Sequence, residues 1–293
     1  MAKVKNTVSS VSVVIATLGG ESLRAAIECL NAGSHVPDEI LVCIPKEYAG
    51  NVEGIEFDNL KVILTDCRGQ VAQRVIGFQN AKSPFVLQMD DDIYLEHSCI
   101  DELLKIVSSA PNIAAGPKMY DLYSGKYHSF LVPRDNTLIL FNKLFYAVAN
   151  GKKGYQPSKI SKSGINFGIP EEPDTWNNVD WLSGGCLMHR KENLLLYNYY
   201  PFTGKAYAED LFHSNLLRKN KIILVRSGKA SCKVDFRSSK GNLFEMIWNY
   251  SKPIIPMKYF VKSINGSLPR LYATIFLTAI RLILSKIHNM RAI

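Results

Sequence analysis

Apolar residues along the first hundred positions of this chain alternate between two periods. Val11 to Ala16 is a short, nearly unbroken apolar run, followed by Thr17-Leu-Gly-Gly, and predicts a buried β-strand. From Ser22 to Leu30 the apolar positions become Leu23, Ala26, Ile27 and Leu30, the spacing of one helix face. Ile40 to Ile44, stopped by Pro45, and Lys61 to Leu64 predict a second and a third strand. Val71, Val75 and Phe78 predict another helix, and Phe85 to Met89 a fourth strand. Strand and helix alternating in this way specify an α/β fold with a mainly parallel, Rossmann-like sheet flanked by helices. Such sheets bind ligands beyond the carboxyl ends of their strands, so chemistry is sought at the ends of the first four.

Beyond Met89 the pattern is less regular. Ser98-Cys-Ile-Asp101 has the form of a capping box before Leu103, Leu104 and Ile106. Residues 120–178 mix Gly, Lys, Ser and Pro with one apolar patch, Leu138 to Val148, and predict long loops and a short helix. Order resumes at Asp180 to His189; a helix is expected from Glu209 to Lys219 and a late strand over Ile222 to Val225. Lys3 and Lys5 precede an apolar run of only six residues, too short for a signal peptide, so that run is read as the first strand. Six cysteines are scattered without a CxxC pair or zinc spacing, which suits buried thiols in a reducing compartment.

Charge changes the picture at one end. The 293-residue chain has a net charge of +9, and residues 236–293 alone hold nine Lys or Arg against one acid, Glu245. The remainder is near neutral, unlike a uniformly basic nucleic-acid binder. From Arg270 the polar positions Arg270, Thr274, Thr278, Arg281, Ser285 and His288 form one helical stripe beside a wide apolar arc. With Tyr259, Phe260 and Tyr272 nearby, a helix lying in a membrane interface is expected; docking on the body or on a second subunit is the alternative. Arg270 and Arg281 leave ten uncharged residues between them, short of the roughly 20 that a span requires.

Asp90-Asp91-Asp92 closes the fourth strand. Three adjacent carboxylates raise one another's pKa and oppose folding, and a hard divalent cation offsets that repulsion directly. On an extended turn Asp90 and Asp92 face one ligand while Asp91 turns aside. Glu209-Asp210 opens a helix, where acids are also stabilised by the helix dipole.

Val11-Ser-Val-Val-Ile-Ala-Thr17, Gln88-Met-Asp-Asp-Asp-Ile-Tyr94, Trp181-Leu-Ser-Gly-Gly185 and Ala208-Glu-Asp-Leu211 follow one another in an order that resembles the family 2 glycosyltransferases of the GT-A fold, of the bacterial surface-polysaccharide type. The resemblance covers roughly residues 10 to 230. It implies that Asp90 and Asp92 hold Mn²⁺ or Mg²⁺ on the donor diphosphate, and that Thr17, Asp90, Asp91 and Arg74 border the donor. Gly184 and Gly185 would line the acceptor, and Trp181 would stack on a sugar face or serve as core. Asp210 would be the catalytic base, with Glu209 orienting the base or the acceptor. Many relatives carry an acid after the second strand that reads the nucleobase. Cys43-Ile-Pro45 has none, and Asp66 after the third strand is the substitute. Some relatives place a metal-binding His after the late strand; Ser231-Cys-Lys-Val-Asp235 has none, which leaves a third protein ligand open.

The reaction implied is inverting transfer of a sugar, expected to come from a UDP-hexose, to a saccharide hydroxyl. One carboxylate base opposite one leaving group means a single displacement. Residues 1–235 would form the catalytic domain and 236–293 a helical segment for membrane association or docking. The acceptor would then be a saccharide, lipid-linked where the chain meets the cytoplasmic face of a membrane. Oligomeric state is left open. A nucleotidyltransferase that makes nucleotide sugars is one rival, although the loop Thr17-Leu-Gly-Gly-Glu21 lacks the basic residues such enzymes carry. A non-catalytic membrane-associated binding protein is the other.

Overall fold

The structure, a computed structural model, describes residues 9–128, 139–172, 174–203, 205–235 and 252–291, with side chains of the last helix up to Ile280. The expectations for Lys3 and Lys5, for Leu138, for residues 236–251 and for the Arg281, Ser285 and His288 side chains lie outside the described residues. In chain order the elements are β1 Val11–Ala16, α1 Ser22–Asn31, β2 Glu39–Pro45, β3 Leu60–Thr65, α2 Gln70–Asn80, β4 Phe85–Met89 and β5 Ile93–Leu95. They continue with α3 Cys99–Ser108, β6 Ile113–Asp121, α4 Ile139–Asn150, β7 Trp176–Asn177, β8 Cys186–Arg190, α5 Glu209–Lys219, β9 Ile223–Val234, α6 Ile254–Ser263 and α7 Leu268–Arg291. Contacts divide the chain into two units, Met1–His128 with Glu172–Phe236, and Ser129–Glu171 with Arg237–Ile293.

In the first unit the strands form one mixed sheet in the order β3-β2-β1-β4-β8-β6-β9-β5, with β7 on β9. The half built from β1 to β4 is parallel throughout, as the alternation of strand and helix requires. β8 runs antiparallel to β4, and β5 antiparallel to β9. β1 lies between β2 and β4, so the strand order reverses there and a crevice opens at its carboxyl end. Val11, Val13 and Ile15 face a core shared with α1 and α3, while Val14 faces Leu41, Cys43 and Phe78 on the α2 side. Burial on both faces explains why β1 is apolar at every position but Ser12 rather than alternating.

Three local expectations change. Pro45 ends β2 as its last paired residue, where no further ladder donor is needed. Ser98 precedes α3 but its side chain makes no capping bond, and the short β5 stands between the acidic turn and that helix. β9 runs to Val234, far beyond the apolar run that marks its start, because polar residues on its outer positions alternate with Ala230, Cys232 and Val234 in the core.

The second unit is helical. Phe145, Tyr146 and Ala149 of α4 pack with Phe167, Tyr155 and Leu277. Arg270 at the start of α7 donates to the carbonyls of Ala147 (3.1 Å) and Val148 (2.7 Å), satisfying the end of α4. Thr274 is fully buried and Leu271 nearly so, whereas Tyr272 and Phe276 are exposed. The polar stripe of α7 therefore begins by facing inward, and Phe260, grouped with the exposed aromatics on sequence grounds, is core. Among the described residues no helix is long and apolar enough to cross a membrane.

Gly77 sets the distance between α2 and β1. A Cβ there would stand 2.4 Å from Val14 Cγ1 and 2.8 Å from Cys43 Sγ. Overpacking of this kind costs about 1–3 kcal/mol, against a helix-propensity gain of about 1 kcal/mol. Gly77→Ala is expected to lower stability in urea denaturation despite that gain.

Candidate functional site

The carboxyl ends of β1, β2 and β4 are tied together by buried amides and hydroxyls. Gln73 of α2 donates to the carbonyls of Thr17 (2.9 Å) and Cys43 (2.8 Å), and its carbonyl accepts from Gly69 N–H (3.1 Å). The Thr17 hydroxyl accepts from Gly19 N–H (2.8 Å) and donates to Asp91. Asp91 thus turns away from Asp90 and Asp92 to lock the loop after β1 to the acidic turn. Its carboxyl is held above the ordinary value by burial.

Arg74, one residue beyond Gln73, is 2% exposed and grips two acids from distant parts of the chain. Nη2 reaches Asp90 Oδ1 at 2.5 Å and Nη1 reaches Glu209 Oε2 at 3.1 Å. Gln70 donates to the same Asp90 oxygen at 2.8 Å. One guanidinium therefore joins the end of β4 to the first turn of α5. The two neighbouring acids raise its pKa and keep it charged despite the opposing effect of burial.

The glycine pair follows from this packing. Gly185 C=O accepts from Asp90 N–H (2.8 Å), and Gly184 C=O accepts from the Gln88 side chain (2.6 Å). A Cβ on Gly184 would stand 2.7 Å from Glu209 Oε2, and one on Gly185 would stand 3.1 Å from Asp90 Oδ2. The loop carries no side chains there because two carboxylates occupy the space.

At the head of α5, Ala208 takes a left-handed conformation with φ 59°, a strained setting for a residue with a Cβ. It turns the chain so that Glu209 enters the interior, 4% exposed, while Asp210 is half-buried. Tyr199 donates its hydroxyl to Glu209 Oε1, so both Glu209 oxygens are engaged. The Tyr199 ring stacks on His213 with centroids 5.5 Å apart. Burial and the nearby Arg74 charge push His213 down to about 3, so it stays neutral. Burial and the Glu209 charge push Asp210 up to about 7, into the range of a general base at neutral pH.

Asp92 is pushed up to about 6 by burial and by the charges of Asp90, Asp91 and Asp235. Ile93 pairs with Val234, so Asp235 stands one step further along, opposite Asp92, and it accepts from the Tyr123 hydroxyl at 3.3 Å. Among the described residues no cation pairs with Asp92 and no donor reaches Asp90 Oδ2. A hard cation fits this uncompensated charge and this oxygen-only chemistry. Among the described residues no three acid, His or Cys side chains converge as a complete ligand set, so most of such an ion's shell would come from phosphate and water.

The expected residues therefore separate. Thr17, Arg74, Asp90, Asp91, Gly184, Gly185 and Glu209 form one bonded or contacting cluster, with Asp92 and Asp210 beside it. Arg74 is a buried clamp rather than an open donor-binding cation, because both of its terminal nitrogens are held by acids. Trp181 is buried among core residues, so it offers no open ring face to a sugar. Asp66 is exposed and pairs with Lys46 at 2.6 Å across the ends of β2 and β3. Sequence reasoning missed Gln70, Gln73 and Tyr199, whose residue types are common in helices and loops and form no motif.

The sequence model of the family described as Glycosyl transferase family 2 matches residues 12–160. Among solved structures, the crystal structure of GalNAc-T7 with UDP, GalNAc and Mn²⁺ is similar in fold, with a TM-score of 0.57 and 16% identity over 88% of this chain. The crystal structure of S. aureus TarS 1-349 matches with a TM-score of 0.48 and 17% identity over 77% of this chain. The chain spans 55% of the first and 60% of the second. No curated protein matches it.

Removing one partner of a buried ion pair strands the other charge, at a cost of about 3–5 kcal/mol. Arg74→Met is expected to destabilise the fold on that scale. The double variant Arg74→Met/Glu209→Gln should lose less than the sum of the single variants in denaturant titrations, the coupling that contact between the two side chains demands.

Proposed function

This chain belongs to glycosyl transferase family 2, and we propose that its sugar transfer from a nucleotide sugar proceeds by a single inverting displacement with Asp210 as the base. The observation that carries this reading is the Arg74 bridge. By holding Asp90 and Glu209 on one guanidinium, it brings the acidic turn at the donor end of the sheet and the acid pair of α5 into one site.

In this reading the acceptor hydroxyl gives its proton to Asp210 as its oxygen attacks the anomeric carbon, and the nucleoside diphosphate departs from the opposite face. General-base assistance of this kind is worth ~10²–10⁴ in rate. Glu209 does not touch the acceptor. Fixed by Arg74 and Tyr199, it sits beside Asp210 and helps raise the proton affinity of that base. Asp92 and the open Oδ2 of Asp90 would hold Mn²⁺ or Mg²⁺, with phosphate and water completing the shell. When bound, the ion supplies positive charge to the diphosphate. GalNAc-T7, the fold neighbour, is seen with UDP and Mn²⁺, a precedent by analogy for a uridine nucleotide and that ion here. The loop after β1, with Thr17 and Asp91, borders the nucleoside, and the Gly184-Gly185 loop borders the acceptor.

We further propose that residues 1–235 do this chemistry and that residues 236–293 bring it to an anionic membrane surface. The acceptor is then a saccharide, lipid-linked where the chain is on the membrane, in the building of a cell-surface polysaccharide.

Asp210→Asn should keep donor binding and lose roughly 10²–10⁴ of turnover, the range of a missing general base. In the native enzyme kcat/KM should fall as pH drops through about 7, where Asp210 takes up a proton. The same group has a stability signature. Its folded pKa lies above the ordinary 3.8, so its contribution is present below pH 3.8 and is lost as pH rises to about 7. Asp210→Asn should therefore stabilise the fold more at pH 8 than at pH 4 in thermal melts. Asp92→Ala should abolish the Mn²⁺-dependent part of nucleoside diphosphate binding in calorimetry. Equal affinity in that variant would remove Asp92 from the metal assignment.

A further inference from the structure

The helical unit combines two properties that isolated soluble domains keep apart. Residues 139–171 and 252–291 contain twelve Lys or Arg and one acid, Glu171. The positive charge is thus not confined to the C-terminal tail; the segment around α4 shares it and packs with α7. The same helices expose bulky apolar side chains. Leu140 (83% exposed) and Leu144 stand one turn apart on α4, on either side of exposed Lys143. Ile255 (68%) leads exposed Lys258 on α6, and Tyr272 leads Phe276 (66%) on α7. Lys152 and Lys153 are exposed in the turn that follows α4.

The orientation of α7 excludes a simple reading of these exposures. Its polar stripe was free to face water, yet Thr274 is buried and bonded to backbone carbonyls of its own helix, and Arg270 is used on α4. The apolar positions Tyr272 and Phe276 are turned out instead. A polyanionic polymer would account for the lysines but not for outward Leu, Ile and Phe. A bilayer with anionic headgroups accounts for both, since apolar side chains enter the acyl boundary while lysines meet the headgroups. Tyr272 has the amphipathic ring that suits the interface.

We propose that the whole helical unit, with α4 and the Lys152-Lys153 turn contributing as much as the C-terminal helices, is a docking surface for an anionic lipid bilayer. This extends the membrane contact proposed for residues 236–293 and rests on it. The test is co-sedimentation of the full chain with phosphatidylcholine vesicles, with and without phosphatidylglycerol. The native chain should bind the anionic vesicles, and less so at high salt. K152E/K153E should weaken that binding at least tenfold, and Leu140→Ser/Leu144→Ser by a similar factor. Both should leave the melting transition and donor hydrolysis unchanged, because none of these residues belongs to the sugar-transfer site.

If both α4-segment variants bind like the native chain while Phe276→Ser binds weakly, the C-terminal helices act alone and the inference is overturned with the tail reading intact. If the native chain binds no vesicle, both fail. If soluble polyphosphate is bound as tightly as anionic vesicles and Leu140→Ser/Leu144→Ser has no effect, the partner is a polyanion and the bilayer assignment is overturned.

Discussion

A single buried guanidinium holds the acidic halves of this site together. Burying Arg74 unpaired would cost several kcal/mol, and burying Glu209 unpaired would cost as much. Each is tolerated because the other is there, and Asp90 shares the same cation. The requirement spreads outward. Gly184 and Gly185 have no side chains because the two gripped carboxylates fill the space above them. Gln70 shares the Asp90 oxygen that Arg74 grips, and Tyr199 takes the Glu209 oxygen that Arg74 leaves. The left-handed turn at Ala208 is accepted because it delivers Glu209 inward. Each of these features would be a defect elsewhere in the fold.

Much of the framework was legible in the sequence, for a physical reason. β1, β2 and β4 are buried on both faces and α1 on one, so their apolar periods are set by burial alone. The order of the four motifs marked Asp90, Asp92, Glu209 and Asp210 as partners in one site. Periodicity was silent about how they are joined. A helix Arg reads equally as a surface residue or a ligand-binding one, and only the fold reveals that Arg74 points into the interior. Gln73 and Tyr199 act through single hydrogen bonds, which leave no period behind. Trp181 was open between a sugar platform and a core residue, and its burial favours the second.

The basic end of the chain was legible as charge but not as architecture. Counting charges separates residues 236–293 from the rest, yet the structure joins Ser129–Glu171 to them through the aromatic cluster of α4. That segment carries its apolar residues in one short helix between stretches rich in Gly, Ser and Lys, so local pattern could not assign it to a partner. The stripe on α7 shows a further limit. A hydrophobic arc locates two faces of a helix but does not say which one turns inward when threonines can bond their own backbone.

The balance of charge at the site separates what the chain completes from what it leaves to a ligand. One guanidinium pairs with Asp90 and Glu209, while among the described residues no Lys or Arg forms an ion pair with Asp91, Asp92 or Asp210. A fold selected for stability alone would replace some of these acids, since each raised carboxyl opposes the folded state once it ionises. The acids are also not equivalent. Asp210 is raised by burial and by Glu209, a neighbour that Arg74 and Tyr199 hold in place. Asp92 is raised by burial and by the charges of Asp90, Asp91 and Asp235 around the acidic turn, and positive charge arriving from solution would lower it. The difference follows from where the single arginine sits rather than from residue type: Asp210 adjoins a carboxylate that Arg74 holds, whereas Asp92 adjoins the acids of its own turn.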